Sequence, residues 1–145
     1  MSAPKEKPAV GEMASIARRL ASMFYEMLLL IGVLALLLVL PHVVLSALIH
    51  QVAAPVIFQA HFFLVLLVYF LWFWSHGGQT LAMKTWRIRL QTRSGLPVRP
   101  AQATVRFLLC WPSLALGGAG ILWALIDRDG QFLHDRIAGT RLVLT

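Results

Sequence analysis

The chain has 145 residues, of which 59% are hydrophobic and only 13% are charged, and its formal net charge is +7. Soluble globular proteins carry about 25% charged residues, so this composition excludes an ordinary soluble domain and indicates a small integral membrane protein. The basic residues flank apolar segments rather than forming a soluble basic module, so we expect no nucleic-acid binding.

The N-terminal part of the chain predicts a tail followed by a membrane helix. Residues 1–14 are expected to form a flexible tail, because they are rich in prolines and charges, and residues 15–145 to form one membrane domain. Ser15 is a candidate N-cap of a helix that begins near Ile16. The apolar segment of about residues 20–40 covers ~30 Å as a helix, which is enough to span a bilayer.

The next part of the chain predicts a turn and a second membrane helix. Pro41 and His42 are expected to mark the exit of the first helix or a kink in it, followed by a loop with a short interfacial helix over residues 43–54. Residues 56–75 form the second apolar segment, whose aromatic C-terminal end is typical of a membrane interface. No Lys, Arg, Asp or Glu occurs from residue 27 to residue 83, as a bilayer requires.

Residues 79–106 form a basic segment, whose arginines and lysine we expect to contact anionic lipid headgroups of the bilayer. Apolar and polar residues alternate over residues 86–91, which predicts a strand. A turn then leads to a candidate return strand at Leu96 and Val98, giving a small cytoplasmic β-hairpin. The C-terminal residues 137–145 are a second candidate partner for the same strand.

The third apolar segment, residues 107–126, contains Pro112 and a glycine cluster at residues 117–120, which favours two half-helices over one straight span. If this segment turns back, all 13 basic residues lie on the cytoplasmic side, as the positive-inside rule requires. If it crosses, the basic residues after position 127 lie outside. We therefore predict an all-α membrane protein with two full transmembrane helices, a broken or re-entrant third apolar segment and a small cytoplasmic β-hairpin. Its N-terminus is expected to be cytoplasmic.

Glu26 is the one acidic residue inside the apolar part of the first helix. A charged, lipid-facing carboxylate there would cost about 2–3 kcal/mol, so we expect Glu26 to face the protein interior. Arg19 lies on the same helix face, but its side chain leans toward the helix start and away from Glu26. Alternatively, desolvation keeps Glu26 protonated and neutral. Its candidate partners are Arg18, Arg19, Arg106, His134, Gln79 and Thr80.

Four short patterns follow one another at residues 19–26 (RLASMFYE), 78–81 (GQTL), 131–135 (QFLHD) and 139–140 (GT). Together, over about residues 16–144, they resemble the RDD family of bacterial membrane proteins, which is named for one arginine and two aspartates.

The resemblance implies that Arg19 is the family's arginine, that Glu26 takes the place of its first aspartate and that Asp135 is its second. It also implies a location in the bacterial inner membrane, and a transport role has been suggested for the family. The side chain of Glu26 is longer by one methylene group than the aspartate of the family. This difference would matter if the position is a geometry-sensitive ion site, but not if only a buried carboxylate is required.

Two functions remain open from the sequence. In the first, the protein moves an ion or small solute, and its ion or proton site consists of Arg19, Glu26, Thr80, Arg106, His134 and Asp135. In the second, the same residues form a buried polar network of a scaffold or an assembly or accessory subunit. Because so small a chain encloses little volume, a homo-oligomer or a complex with another membrane subunit is expected.

The sequence offers no pattern for catalysis or for a resident metal. It has no Ser-His-Asp order, phosphate-binding glycine loop or catalytic carboxylate pair, so we expect no enzyme, no catalytic residue and no cofactor. Four histidines lack metal-ligand spacing and are spread over both predicted sides, so we expect no metal site. They are His42, His50, His61 and His76.

Overall fold

A computed structural model describes residues 10–145 of the chain. The first part of the predicted tail, residues 1–9, lies outside the described residues. Within the described part, two helices are long and apolar enough to cross a membrane, and a third pair is bent.

The first membrane helix is longer than predicted. Helix α1 (Ile16–Leu34) continues through a π-helical turn (Ala35–Val39) into α2 (Leu40–Ile49), so the helix runs unbroken for 34 residues. Ser15 caps its start as predicted, because its side-chain oxygen accepts a hydrogen bond from the Arg18 N–H at 3.3 Å.

Of the two alternatives at Pro41 and His42, the exit is wrong, because the helix continues to Ile49. The loop predicted over residues 43–54 is confined to residues 50–54, and residues 43–49 extend the first helix instead of forming a separate interfacial helix. Proline in a helix removes an N–H donor and crowds the carbonyl four residues earlier. The π-helical turn immediately before Pro41 offers room for this ring, and the Leu40 N–H bonds to the Ala35 carbonyl across five residues.

The second span is α3 (Pro55–Ser75), in agreement with the predicted segment at residues 56–75. It ends at His76, followed by Gly77 and Gly78, which both adopt positive φ angles of 97° and 70°. A side chain at position 78 would overlap the Leu90 carbonyl oxygen, so this turn requires glycine.

The third apolar segment is broken, as predicted. Helix α5 (Pro100–Ala115) and the following α6 (Ala119–Leu122) with its 3-10 extension (Trp123–Leu125) are bent by 102° relative to each other. The bend passes through Gly117 and Gly118, whose φ angles of 69° and 79° favour glycine.

Within the described residues, two strands pair in one antiparallel sheet. The short helix α4 (Leu81–Thr85) leads into β1 (Ile88–Thr92), which pairs with β2 (Thr140–Leu144) at the C-terminus. Helix α7 (Leu133–Ala138) directly precedes β2. The predicted small sheet is therefore confirmed. The strand that pairs with β1 is the C-terminal one, which was the second of the two candidate partners.

The return strand predicted at Leu96 and Val98 does not form. Instead, the Thr92 N–H donates to the Leu96 carbonyl, and the Leu96 N–H donates to the Thr92 hydroxyl, each at 2.9 Å. These bonds close a tight turn, and Pro97 has no N–H to extend a ladder beyond it.

The residues that precede α1 join this sheet. The Ala14 N–H donates to the Leu142 carbonyl at 3.1 Å, and the Leu144 N–H donates to the Glu12 carbonyl at 2.8 Å. The end of the predicted tail is thus held along β2. This contact brings the start of α1 and both strands together beside one hydrophobic core, which includes Ala14, Trp74, Ile88, Leu90, Phe107 and Leu142.

Candidate functional site

Glu26 is buried, with 7% of its surface exposed, and two hydroxyl groups bind its carboxylate. The Tyr69 hydroxyl on α3 donates to Oε1 at 2.6 Å, and the Thr80 hydroxyl donates to Oε2. The Thr80 oxygen also accepts the Met83 N–H at 3.2 Å and so caps α4. One carboxylate therefore joins α1, α3 and the start of α4.

Of the six partners considered for Glu26 from the sequence, Thr80 is the one that contacts it. The sequence does not single out Tyr69, because this residue lies in the aromatic C-terminal end of α3, a pattern that predicts a membrane interface. Sequence offers no signal that separates this tyrosine from its aromatic neighbours; only the packing of α3 against the first helix does so.

No cationic side chain makes a salt bridge with Glu26 among residues 10–145. Arg19 is buried but bonds elsewhere: its Nη2 donates to the Gly130 carbonyl at 2.6 Å, and its guanidinium lies over the Phe132 ring, 4.6 Å from the centroid. This agrees with the expectation that Arg19 points away from Glu26.

The loop that receives Arg19 is held by Asp127. The Asp127 carboxylate accepts the backbone N–H groups of Gln131 at 3.0 Å and Asp129 at 3.2 Å, and it pairs with Arg136. The Gln131 N–H and this positive charge hold the pKa of Asp127 below its ordinary value. The carbonyl of Gly130 is thereby fixed where Arg19 reaches it.

A second buried cluster is built around Asp135 on α7. Arg106 on α5 donates through Nε to Asp135 Oδ1 at 2.5 Å, and the Thr140 hydroxyl donates to the same oxygen at 3.3 Å. Both charged side chains are almost fully buried. The Arg106 guanidinium also lies 4.2 Å from the centroid of the Trp74 ring, which adds a cation–π contact. This cluster joins α3, α5, α7 and β2.

The charge states in this cluster follow from burial and from the neighbouring ions. Burial alone would raise the pKa of Asp135, yet the Arg106 guanidinium beside it, helped by His134 and Arg19, holds that pKa below its ordinary value. Burial lowers the pKa of His134 from 6.5 to about 4, although the Asp135 carboxylate opposes the shift. At neutral pH the cluster therefore contains an ionised Asp135 and a neutral His134.

His134 and Asp135 are close but not hydrogen-bonded. Nε2 of His134 lies 3.9 Å from Oδ2 of Asp135, and that oxygen and His134 Nδ1 have no partner among the described residues. The six residues proposed from the sequence thus fall into two groups. Glu26 with Thr80 forms the first group, Arg106 with Asp135 and His134 forms the second, and Arg19 reaches the loop beside the second group.

The predicted basic segment, residues 79–106, includes α4 and β1, which follow Thr80 in the chain. Lys84, Arg87 and Arg89 are exposed, and none of them makes a salt bridge within the described part of the chain. The stretch of chain that contains them, between Glu26 and Asp127, has no acidic residue of its own. Over residues 10–145, no group of three or more His, Cys, Asp or Glu side chains is arranged to hold a metal ion.

The model of the RDD family matches residues 13–139, which include every residue of both clusters except Thr140. Comparison with curated proteins and with solved structures found no match.

Proposed function

We propose that this chain, which belongs to the RDD family, is a multi-pass protein of the bacterial inner membrane that moves an ion or a small solute. Glu26 is the ion- or proton-binding carboxylate in this proposal, and Tyr69 and Thr80 position it. Arg106, Asp135, His134 and Arg19 hold the C-terminal segment against the helices and balance the charge there.

One observation carries the proposal: Glu26 is buried in the first span and has hydroxyl partners but no cationic partner among the described residues. An isolated carboxylate in a medium of low dielectric constant is costly, and it lowers its energy by taking up a proton or a cation. A purely structural carboxylate is usually paired with Arg or Lys, as Asp135 is with Arg106.

The orientation in the proposal has the N-terminus and the C-terminal sheet in the cytoplasm. Supporting this, residues 12–14 bond to β2 beside the start of the first span, and Arg19 bonds to Gly130 after the bent segment. These contacts are consistent with a bent pair that returns to the side where it began. All 13 basic residues then lie on the cytoplasmic side.

The proposed partners are anionic lipid headgroups at the exposed Lys84, Arg87 and Arg89, and a second copy of the chain or another membrane subunit. A homo-oligomer is supported by size, because a chain of 16.2 kDa encloses little volume for a pathway of its own. The proposal includes no enzymatic step.

The test is proton flux driven by cation gradients in proteoliposomes, with Glu26→Gln compared to wild type at equal amounts of folded protein. The amide of glutamine can both accept from the hydroxyls of Tyr69 and Thr80 and donate to them, so the contacts persist while the charge is lost. Glu12→Gln is the matched control, since Glu12 is an exposed acid. Flux that is abolished in Glu26→Gln and retained in Glu12→Gln is expected; equal flux in both variants contradicts the role of Glu26.

A non-transporting scaffold or accessory subunit is the second candidate. This function is favoured by the hydrogen bonds of Glu26 to the hydroxyl groups of Tyr69 and Thr80, which connect α1, α3 and the start of α4. Absence of flux in wild-type protein across the common cations, together with a lowered melting temperature of Glu26→Ala, would select this function.

A further inference from the structure

His42 and His61 are 19 residues apart in sequence but meet between α2 and α3, away from both clusters described above. Their ring centroids are 5.1 Å apart, with the ring planes at 33°. We propose that these two imidazoles form a solvent-open binding site for a transition-metal ion of the Zn²⁺ class. This site is independent of the transport proposal for Glu26.

The first argument is the fixed orientation of His42. Its Nδ1 lies 2.9 Å from the Leu38 carbonyl oxygen, which can only accept, so Nδ1 carries the proton and Nε2 presents its lone pair. Metal-binding histidines typically have this arrangement, with one nitrogen bonded to a backbone carbonyl and the other free for the ion. The π-helical turn at Ala35–Val39 contributes the Leu38 carbonyl, and such turns are frequent at functional sites.

The second argument is the spacing of the rings. Two imidazoles that bind one ion through nitrogens about 2.0–2.1 Å from it have ring centres about 5 Å apart when the angle at the ion is tetrahedral. The observed separation of 5.1 Å fits this arrangement. His42 also packs against the edge of Phe58, with ring centroids 5.1 Å apart, which limits its other orientations.

The third argument is access for solvent. Both histidines are half-buried, and His42 lines a cavity of about 320 Å³ together with Ser46, Gln51 and the connection between the two spans; His61 lies outside this lining. Water in this cavity can complete the coordination of an ion that has only two protein ligands. The sequence has no Lys, Arg, Asp or Glu from residue 27 to residue 83, so the segment that holds both imidazoles contributes no charged side chain to the site. Neutral imidazole selects Zn²⁺, Cu²⁺ or Ni²⁺ over Mg²⁺ and Ca²⁺, with weak and exchangeable binding.

The test is Zn²⁺ titration of the full chain by calorimetry, with the protein purified through a tag that contains no histidine. His42→Asn and His61→Asn are each expected to weaken Zn²⁺ binding at least about tenfold. His76→Asn is the matched control, because His76 lies at the other end of α3 with its ring stacked on Trp72. Copper(II) bound to the wild-type protein should show two nitrogen ligands in its electron paramagnetic resonance spectrum.

Absence of binding in wild-type protein up to about 1 mM Zn²⁺ would overturn the proposal, as would equal affinity in wild type, His42→Asn and His61→Asn. The copper spectrum needs no variant, so the proposal remains testable if a substitution prevents folding. Fewer than two nitrogen ligands in that spectrum also refutes it.

Discussion

The buried pair of Arg106 and Asp135 predicts a large loss of stability when its carboxylate is removed. Asp135 is 1% exposed, and its Oδ1 lies 2.5 Å from Arg106 Nε, so Asp135→Asn leaves a buried guanidinium without its counter-ion. Breaking a buried pair by removing one partner costs about 3–5 kcal/mol. Arg106 keeps its contact with the Trp74 ring, so we expect a loss near the lower limit, about 3 kcal/mol.

The assay is thermal unfolding of the purified protein in mild detergent, followed by the fluorescence of its five tryptophans. For a chain of this size, each kcal/mol lowers the melting temperature by about 2–4 °C, so Asp135→Asn should melt roughly 6–12 °C below wild type. Asp129→Asn is the control, because the Asp129 side chain is 68% exposed; its melting temperature should remain near the wild-type value.

A double-mutant cycle with Arg106→Met separates the ion pair from other effects of each substitution. Removing both charges leaves no unpaired buried ion, so the double variant should be more stable than the sum of the single losses predicts, by about 2 kcal/mol. An Asp135→Asn loss below about 1 kcal/mol would refute the reasoning, because a buried guanidinium without its counter-ion should cost more. Strictly additive effects in the cycle would refute it as well.

Other predictions concern acid stability and two glycines. The pKa of His134 is lowered from 6.5 to about 4, so the unfolded chain binds a proton before the folded one does. Stability contributed by neutral His134 is therefore complete above pH 6.5 and is lost as pH falls toward 4, by about 3 kcal/mol in all. His134→Gln should flatten the melting temperature over that range, and an unchanged pH profile would contradict the assignment. Gly120→Ala should destabilise the bent segment by about 1–3 kcal/mol, because the added Cβ would overlap the Ser113 hydroxyl group. Thermal unfolding should show partial recovery when Ser113→Gly is added, and no recovery would argue against the contact. Gly78→Ala should lower the melting temperature further still, since its Cβ would meet backbone at Leu90 that cannot move aside; a melting temperature at or above that of Gly120→Ala would contradict this.

Much of the fold could be predicted because the bilayer restricts what an apolar segment can do. The long uncharged stretch predicted two spans, and Pro112 with the nearby glycines predicted the break in the third segment, which bends by 102°. Ser15 predicted the start of the first helix through its cap. In each case the signal is local, so the residues involved are neighbours in sequence.

Pro41 shows where a local rule fails. Proline ordinarily ends or kinks a helix. Here a π-helical turn precedes Pro41 and accommodates its ring and its missing N–H donor, so the helix continues to Ile49.

By itself, the sequence determined that this chain is a membrane protein. It also determined the number and approximate positions of the apolar segments and which charged residues lie within them. These properties depend on composition and local spacing. The tertiary structure alone decided which of those residues meet. Tyr69 bonds to Glu26 from a helix 43 residues further along the chain, and Arg106 bonds to Asp135 rather than to Glu26. Such pairs are set by how helices pack and by the need to give each buried polar group a partner, and neither leaves a periodic signal in the sequence.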